Sequence, residues 1–525
     1  MRYAAPPVGD LRWRAPVEPP HTDGVTKAIW FRSICLGINT AYPNADHDED
    51  CLFANVWAPT GATAESKLPV WIFFPGGGYV AITNANWNGA EVVEKSGHNI
   101  VLVNFNYRVG LWGFLASERV RADGDLNLGL LDQRRLMAWV KTHIASFGGD
   151  PDHVVIHGAS AGAGSVAMHM VAHGGRNDNL FIGAMAESLF FPAQPFVSEL
   201  EYQFDRVVRQ TGCDGLDPSQ QMACLRSKPA GILQAVNFAQ SFPGRLGGPM
   251  PLFYWTPCID GDFIQDLPYR MFREGKYVDV PLLFGTTTDE GSYFAADAGS
   301  PADVTTFLAN NYPQLRRKDM AAILDRYPKL APVQRHREWF PTASQAYGEA
   351  TFVCPTVNVL NAVQHRLNNH TSDIIINNNN NITTTTNTNT NTPLPATSKS
   401  VFAYRYNVVD ADNLAAGYGV PHIFEAAAIF GPNNIGGAAA SYYGINAPVV
   451  PLMMSYWISF VRALNPNIYR QVGSPAWEAW GGESQRLVFE TGGPARMETT
   501  PTEELERCQF WLGLGKTMEQ KKMRL

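Results

Sequence analysis

The feature that most constrains this chain is the passage Phe147 to Gly164, FGGDPDHVVIHGASAGAG, in which a short apolar run, Val154 to Ile156, ends in the turn Gly158-Ala159-Ser160-Ala161-Gly162. A strand that stops at G-x-S-x-G and passes at once into a helix holds its serine in strained backbone. The turn has room only for near-absent side chains two positions before and two after that serine. Both positions are glycine. The following segment, Ala161 to Met170, is small and apolar, which suits a helix whose N-terminus lies under the serine oxygen and favours negative charge there. Ser160 is the candidate nucleophile.

Further elements of the same kind lie on either side. Leu68 to Phe74 is apolar enough for a buried strand and breaks into Pro75-Gly76-Gly77-Gly78-Tyr79. Glycines after a strand leave backbone N–H groups uncovered, and acyl transfer needs such donors where a carbonyl oxygen becomes an oxyanion. Ile100 to Tyr107 reads as a second buried strand, and Leu136 to Ile144 as an amphipathic helix packed on the sheet beside the elbow strand. Val280 to Thr287 is another strand, followed by Asp289-Glu290-Gly291. A serine triad requires a buried acid to orient its histidine, and on chemistry alone either Asp289 or Glu290 serves. Val401 to Tyr406 is a further strand, followed by Gly419-Val-Pro-His422-Ile-Phe-Glu425, and Met453 to Val461 has helical periodicity. Strands alternating with helices predict an α/β chain with a mostly parallel sheet covered on both faces, read as one catalytic domain over 1–525.

The apolar fraction, 45%, is ample for one large core, while a net charge of −7 without a Lys/Arg cluster argues against nucleic acid or anionic lipid as a partner. No apolar run approaches the roughly 18 residues that cross a bilayer. His169 and His173 have the i, i+4 spacing of a helical metal site. They lack an H-E-x-x-H frame and a third ligand, so both are read as structural, with no metal and no cofactor expected. Residues 371–399 contain an Asn/Thr tract with almost nothing to bury and are expected to form a disordered surface insertion, with sequons at Asn369 and Asn381.

Phe147-Gly148-Gly149 with Val154, Ile156, Gly158, Ser160, Ala161 and Gly162 resembles the serine signature of the type-B carboxylesterase and cholinesterase-like family of α/β hydrolases. Glu49-Asp50-Cys51-Leu52 before Asn55-Val56-Trp57, the three-glycine loop, the GTTTDEGSYF passage and the H-x-x-E segment at His422 are similar to the same family. The resemblance implies an α/β-hydrolase fold, Ser160 as nucleophile, Glu290 as the acid, His422 as the base, and an oxyanion hole of Gly77, Gly78 and Ala161. The chain order Ser, Glu, His is the one this fold carries. Of seven cysteines, it implies the pairs Cys35–Cys51, Cys213–Cys224 and Cys354–Cys508, leaving Cys258 over. Bridges point to an oxidising compartment and secretion.

The activity implied is hydrolysis of small to medium carboxylic esters through an acyl-enzyme. Alternatives are a triacylglycerol lipase of the same family and a non-catalytic binding or adhesion relative. Ala159 departs from the family's common glutamate before the serine, which removes a carboxylate near the histidine, and Pro75 stands where histidine is frequent. Ala41-Tyr42-Pro43 stands where cholinesterases place a tryptophan, so choline specificity is not expected. The passage Met1 to Trp13 is similar to one some way inside family members, so the start is expected to be truncated. In the family's lipases the loop closed by the first disulfide is the lid. Here only 15 residues separate Cys35 from Cys51 (51 − 35 − 1), and they include Asp46, Asp48, Glu49 and Asp50, so an esterase of soluble substrates is favoured.

Overall fold

The computed structural model describes residues 1–21, 23–243, 250–378 and 400–519. Two short strands, β1 (Ile34–Cys35) and β2 (His47–Asp48), form a small parallel ladder beside the first disulfide. The other strands are β3 (Ala54–Trp57), β4 (Leu68–Phe74), β5 (Val101–Phe105), β6 (Gly149–Ala159), β7 (Gly183–Glu187), β8 (Leu282–Thr287), β9 (Val401–Asn407), β10 (Gln485–Glu490) and β11 (Ala495–Thr499). These nine make one sheet in the order β11-β10-β9-β8-β7-β6-β4-β5-β3. All neighbours pair in parallel except the two edge pairs, β3 with β5 and β10 with β11.

Near-continuous apolar strands are what a parallel sheet buried on both faces demands. Along β4, Val70, Ile72 and Phe74 pack into one core, while Trp71 and Phe73 pack into another. The first core takes Leu136, Met137 and Val140 of the helix Leu128–His143 and Val166 and Met170 of the helix Ala161–Gly175. The second takes Ile429 of Ala426–Phe430 and Met453, Trp457 and Phe460 of Val449–Ala463. The helix expected from Leu136 thus starts two turns earlier, at Leu128. The strand expected around Val154 to Ile156 extends from Gly149 to Ala159, because sheet pairing with β4 and β7 recruits flanking residues that carry no apolar signal.

The helix Cys354–Asn378 runs into the segment expected to be a disordered insertion from 371. Extending an established helix by one more residue costs little compared with starting one, so 371–378 continue it. Asn369 lies on this helix, while the rest of the insertion, with Asn381, falls outside the described residues. Among the described residues no helix is long and apolar enough to cross a membrane.

Three disulfides are formed: Cys35–Cys51, Cys213–Cys224 and Cys354–Cys508, with Cα separations of 4.9, 5.9 and 4.7 Å. Cys258 is free and buried, and burial pushes its thiol up. The third bridge ties Cys354–Asn378 to the C-terminal helix Thr502–Glu519 across 154 residues, whereas the second spans 11. Loop closure in the unfolded chain then contributes roughly 5 kcal/mol for the long bridge and roughly 3 kcal/mol for the short one. Replacing both members of the long bridge by serine is expected to lower the thermal midpoint by more than the same change in the Cys213–Cys224 pair, as scanning calorimetry would measure.

Candidate functional site

The carboxyl ends of the parallel strands carry the candidate residues, as open α/β sheets place their sites. At the end of β6, Ser160 has φ 56° and ψ −120°, the left-handed strain of an elbow. The glycines two before and two after it are dictated by close approach. A Cβ on Gly158 would sit 2.2 Å from the carbonyl of Gly162, and one on Gly162 would sit 2.0 Å from the carbonyl oxygen of Phe74. The Ser160 N–H donates to the carbonyl of Glu187 at 2.9 Å, which holds the strained turn to β7. Ala161 opens the helix Ala161–Gly175, so its N–H is one of those a helix start leaves without an intrahelical partner.

The glycine loop after β4 lies against the serine, since a Cβ on Gly76 would be 3.0 Å from Ser160 Cβ. Gly77 and Gly78 have φ of 123° and 64°, conformations that glycine adopts without strain. The Gly76 N–H donates to Asn84 Oδ1 at 2.9 Å, and Tyr107 Oη donates to the carbonyl of Pro75 at 2.8 Å, which anchors the loop at both ends. The phenyl ring of Phe253 covers Gly78, where an added Cβ would lie 2.0 Å from Cε1.

Between Asp289 and Glu290, left open on chemistry alone, the structure distinguishes two placements. Glu290 Oε2 lies 2.5 Å from His422 Nδ1, and its Oε1 accepts from Ser188 Oγ at 2.6 Å and from the Thr287 N–H at 2.7 Å. With the carboxylate so engaged, Nδ1 carries the proton and Nε2 is left as the acceptor. Nε2 is buried and makes no hydrogen bond to the described residues, Ser160 Oγ included. Asp289 instead accepts the Val420 N–H on Oδ2 at 2.8 Å, and its own N–H donates to the Val420 carbonyl at 2.9 Å. It thereby clasps the turn two residues before His422, and burial pushes its carboxyl up.

Phe294 and Phe352 pack on the His422 ring with centroids at 5.0 and 4.3 Å. Phe190 and Phe253 continue this aromatic wall to the glycine loop. None of the four is legible in the sequence, because phenylalanines look like ordinary core residues. Ser188 was missed too. Its φ of 58° marks a tight position, yet no local pattern announces it.

The two histidines of the i, i+4 pair each have a protein partner. His169 is buried with Nε2 2.9 Å from Gln133 Oε1, and His173 reaches Asp262 at 3.3 Å. The helix loses its geometry from Ala172 to Gly174, and both rings pack edge-on against Phe263. A cavity of about 670 Å³ lies behind the acid rather than over Ser160, lined by Glu290, Asp289, Arg405, Arg486, Arg507 and Glu498 among others. Its three arginines are all paired with glutamates.

The family model described as "Carboxylesterase family" matches residues 1–511. Lipase 1 of Geotrichum candidum is 35% identical over 371 residues, 63% of this chain and 65% of that protein. Secreted lipase 1 of Botryotinia fuckeliana (strain B05.10) is 36% identical over 343 residues, 59% of either chain. In each case the match spans less than two thirds of the relative's length. The crystal structure of Aspergillus niger EstA superposes with a TM-score of 0.91 at 45% identity, covering 99% of this chain and 94% of that one. The fold is thus the α/β-hydrolase fold that the resemblance implied.

The clasp at Asp289 generates a test. Asp289→Ala strands the Val420 N–H away from its acceptor, which costs about 1–3 kcal/mol for a buried group. A lower thermal midpoint is expected, with faster amide exchange at Val420 and its neighbours than elsewhere in the sheet.

Proposed function

The chain belongs to the carboxylesterase family, and from that premise we propose that it hydrolyses carboxylic esters of small to medium size through an acyl-enzyme. The observation that carries the reading is the 2.5 Å contact between Glu290 and His422, which leaves Nε2 as an acceptor at the same sheet edge as the strained serine. Ser160 attacks the ester carbonyl while His422 Nε2 takes its proton. Gly77, Gly78 and Ala161 donate to the oxyanion. Glu290 stabilises the imidazolium, held in turn by Ser188 and Thr287. His422 then protonates the departing alcohol, and water repeats the sequence on the acyl-enzyme.

Specificity is proposed to favour soluble esters over lipid droplets. The short loop between Cys35 and Cys51 is pinned. Glu49 is buried and receives two hydrogen bonds from Arg12 at 2.6 Å each, and Asp50 pairs with Arg2. Lifting this loop would break a buried ion pair and expose charge, neither of which lipid rewards. The aromatic wall of Phe190, Phe253, Phe294 and Phe352 supplies an apolar surface for the acyl chain. Extracellular action is proposed from the three disulfides, long-lived only in an oxidising compartment.

Ser160→Ala is expected to abolish turnover and stoichiometric labelling by an organophosphonate while the fold is retained, since alanine occupies the elbow without new bulk. Labelling that survives in the variant overturns the assignment of the nucleophile. Against p-nitrophenyl esters of graded chain length, ordinary saturation is expected. A jump in rate as a triglyceride passes its solubility limit would instead place the protein among interfacially activated lipases.

A further inference from the structure

The aromatic ring nearest His422 is held from a part of the chain that the proposed reaction leaves unused. Phe352, fully buried, lies in a π-turn, Glu349–Val353, set between the helices Phe340–Gly348 and Cys354–Asn378. Its ring centroid is 4.3 Å from that of His422, closer than that of Phe294 at 5.0 Å. In an α-helix, residues three apart share a face. The wider π-turn separates them, sending Glu349 to the C-terminal helix and Phe352 to the imidazole.

Such turns are rare in proteins, and this one is secured along its length. The buried carboxylate of Glu349 accepts twice on each oxygen: Oε1 takes Arg507 Nη2 at 2.7 Å and Gln345 Nε2 at 3.0 Å, and Oε2 takes Arg507 Nε at 2.7 Å and Tyr327 Oη at 2.6 Å. Tyr327 Oη in turn accepts from Trp511 Nε1 of the C-terminal helix. The Thr351 carbonyl accepts the Phe191 N–H at 3.2 Å, and the Phe352 carbonyl accepts Thr356 Oγ1 at 2.9 Å. Cys354, the residue after the turn, is bonded to Cys508. Arg507 and Cys508 are consecutive in the helix Thr502–Glu519, so that helix grips the turn at both ends, ionically at its first residue and covalently just past its last. With one end fixed, the segment would be free to rewind to α geometry. With both fixed, the extra residue of the π-turn stays between them.

We propose that Glu349 is a positioning residue for His422: paired with Arg507, it holds the π-turn whose Phe352 confines the imidazole, so that the ring keeps one orientation beside Glu290. The inference rests on the roles proposed above for Ser160 and His422.

Glu349→Gln tests it, because the side chain is nearly isosteric yet either orientation of its amide sets an NH2 group against donors. Organophosphonate titration counts competent sites, so every rate is expressed per site and loss of folded protein drops out. The phosphonylation rate constant and kcat are expected to fall together by roughly 10- to 100-fold, the scale of a small misplacement of a reacting group, with KM nearly unchanged. A role exerted through Phe352 requires more. In a Phe352→Ala background, Glu349→Gln should change the rate per site by less than about twofold, since the path to the imidazole is already gone. Rates per site in Glu349→Gln equal to the parent overturn the proposal. So does an equal fall with and without Phe352, which marks general loosening. Arg507→Lys, which keeps the charge but not the two-pronged contact, and Phe352→Val replace any form that does not fold, with the same expectations. If the parent protein itself takes no label, the nucleophile reading falls first and this one with it.

Discussion

The structure depends on one close approach, where the first turn of the helix after the elbow meets the end of the neighbouring strand. Gly162 lies so near the Phe74 carbonyl that a Cβ would intrude to 2.0 Å, and Gly158 is as tightly set against Gly162. With side chains at either position the helix start would be pushed away from β4. The glycine loop that follows Phe74 would then lose its place against Ser160. Absence of bulk at these glycines thus brings the serine, the helix N-terminus and the uncovered amides of the loop into one small volume. The strain that results at Ser160 is held by its hydrogen bond to Glu187, part of a sheet too well packed to relax it.

The acid and the histidine reach the same edge by a looser route and are secured differently. Glu290 follows β8 by three residues, but His422 comes 15 residues after the end of β9. A side chain on so long an excursion has no strand to aim it. Asp289 supplies the missing constraint by clasping the backbone at Val420, while the adjacent Glu290 takes the imidazole itself. Two consecutive carboxyls therefore divide the work, one positioning the chain and the other the ring.

Much of this is legible in the sequence. Apolar runs located β4, β5, β6, β8 and β9, because a strand buried on both faces writes its burial into consecutive residues. The elbow and the glycine loop were legible because tight backbone admits few residue types. Element lengths were less so: Leu128–His143 begins two turns before its amphipathic pattern, and β6 extends past its apolar centre at both ends. The insertion expected from 371 yielded its first residues to a helix already under way.

What the amino-acid sequence determined by itself was local: where the backbone turns through glycine-only conformations, which segments are buried, and which residues are candidates for nucleophile, acid and base. Tertiary structure alone decided which groups meet. Nothing near Ser188 in sequence foretells that its hydroxyl holds Glu290, and nothing near Ala159 foretells a carboxyl beside it on the next strand. Register is a relation between two strands, set by the packing of both, and hydrogen-bond partners a hundred residues apart leave no periodicity for a single chain to display. For the same reason Asp289 and Glu290, equivalent as chemistry, became different only when one faced a backbone amide and the other an imidazole.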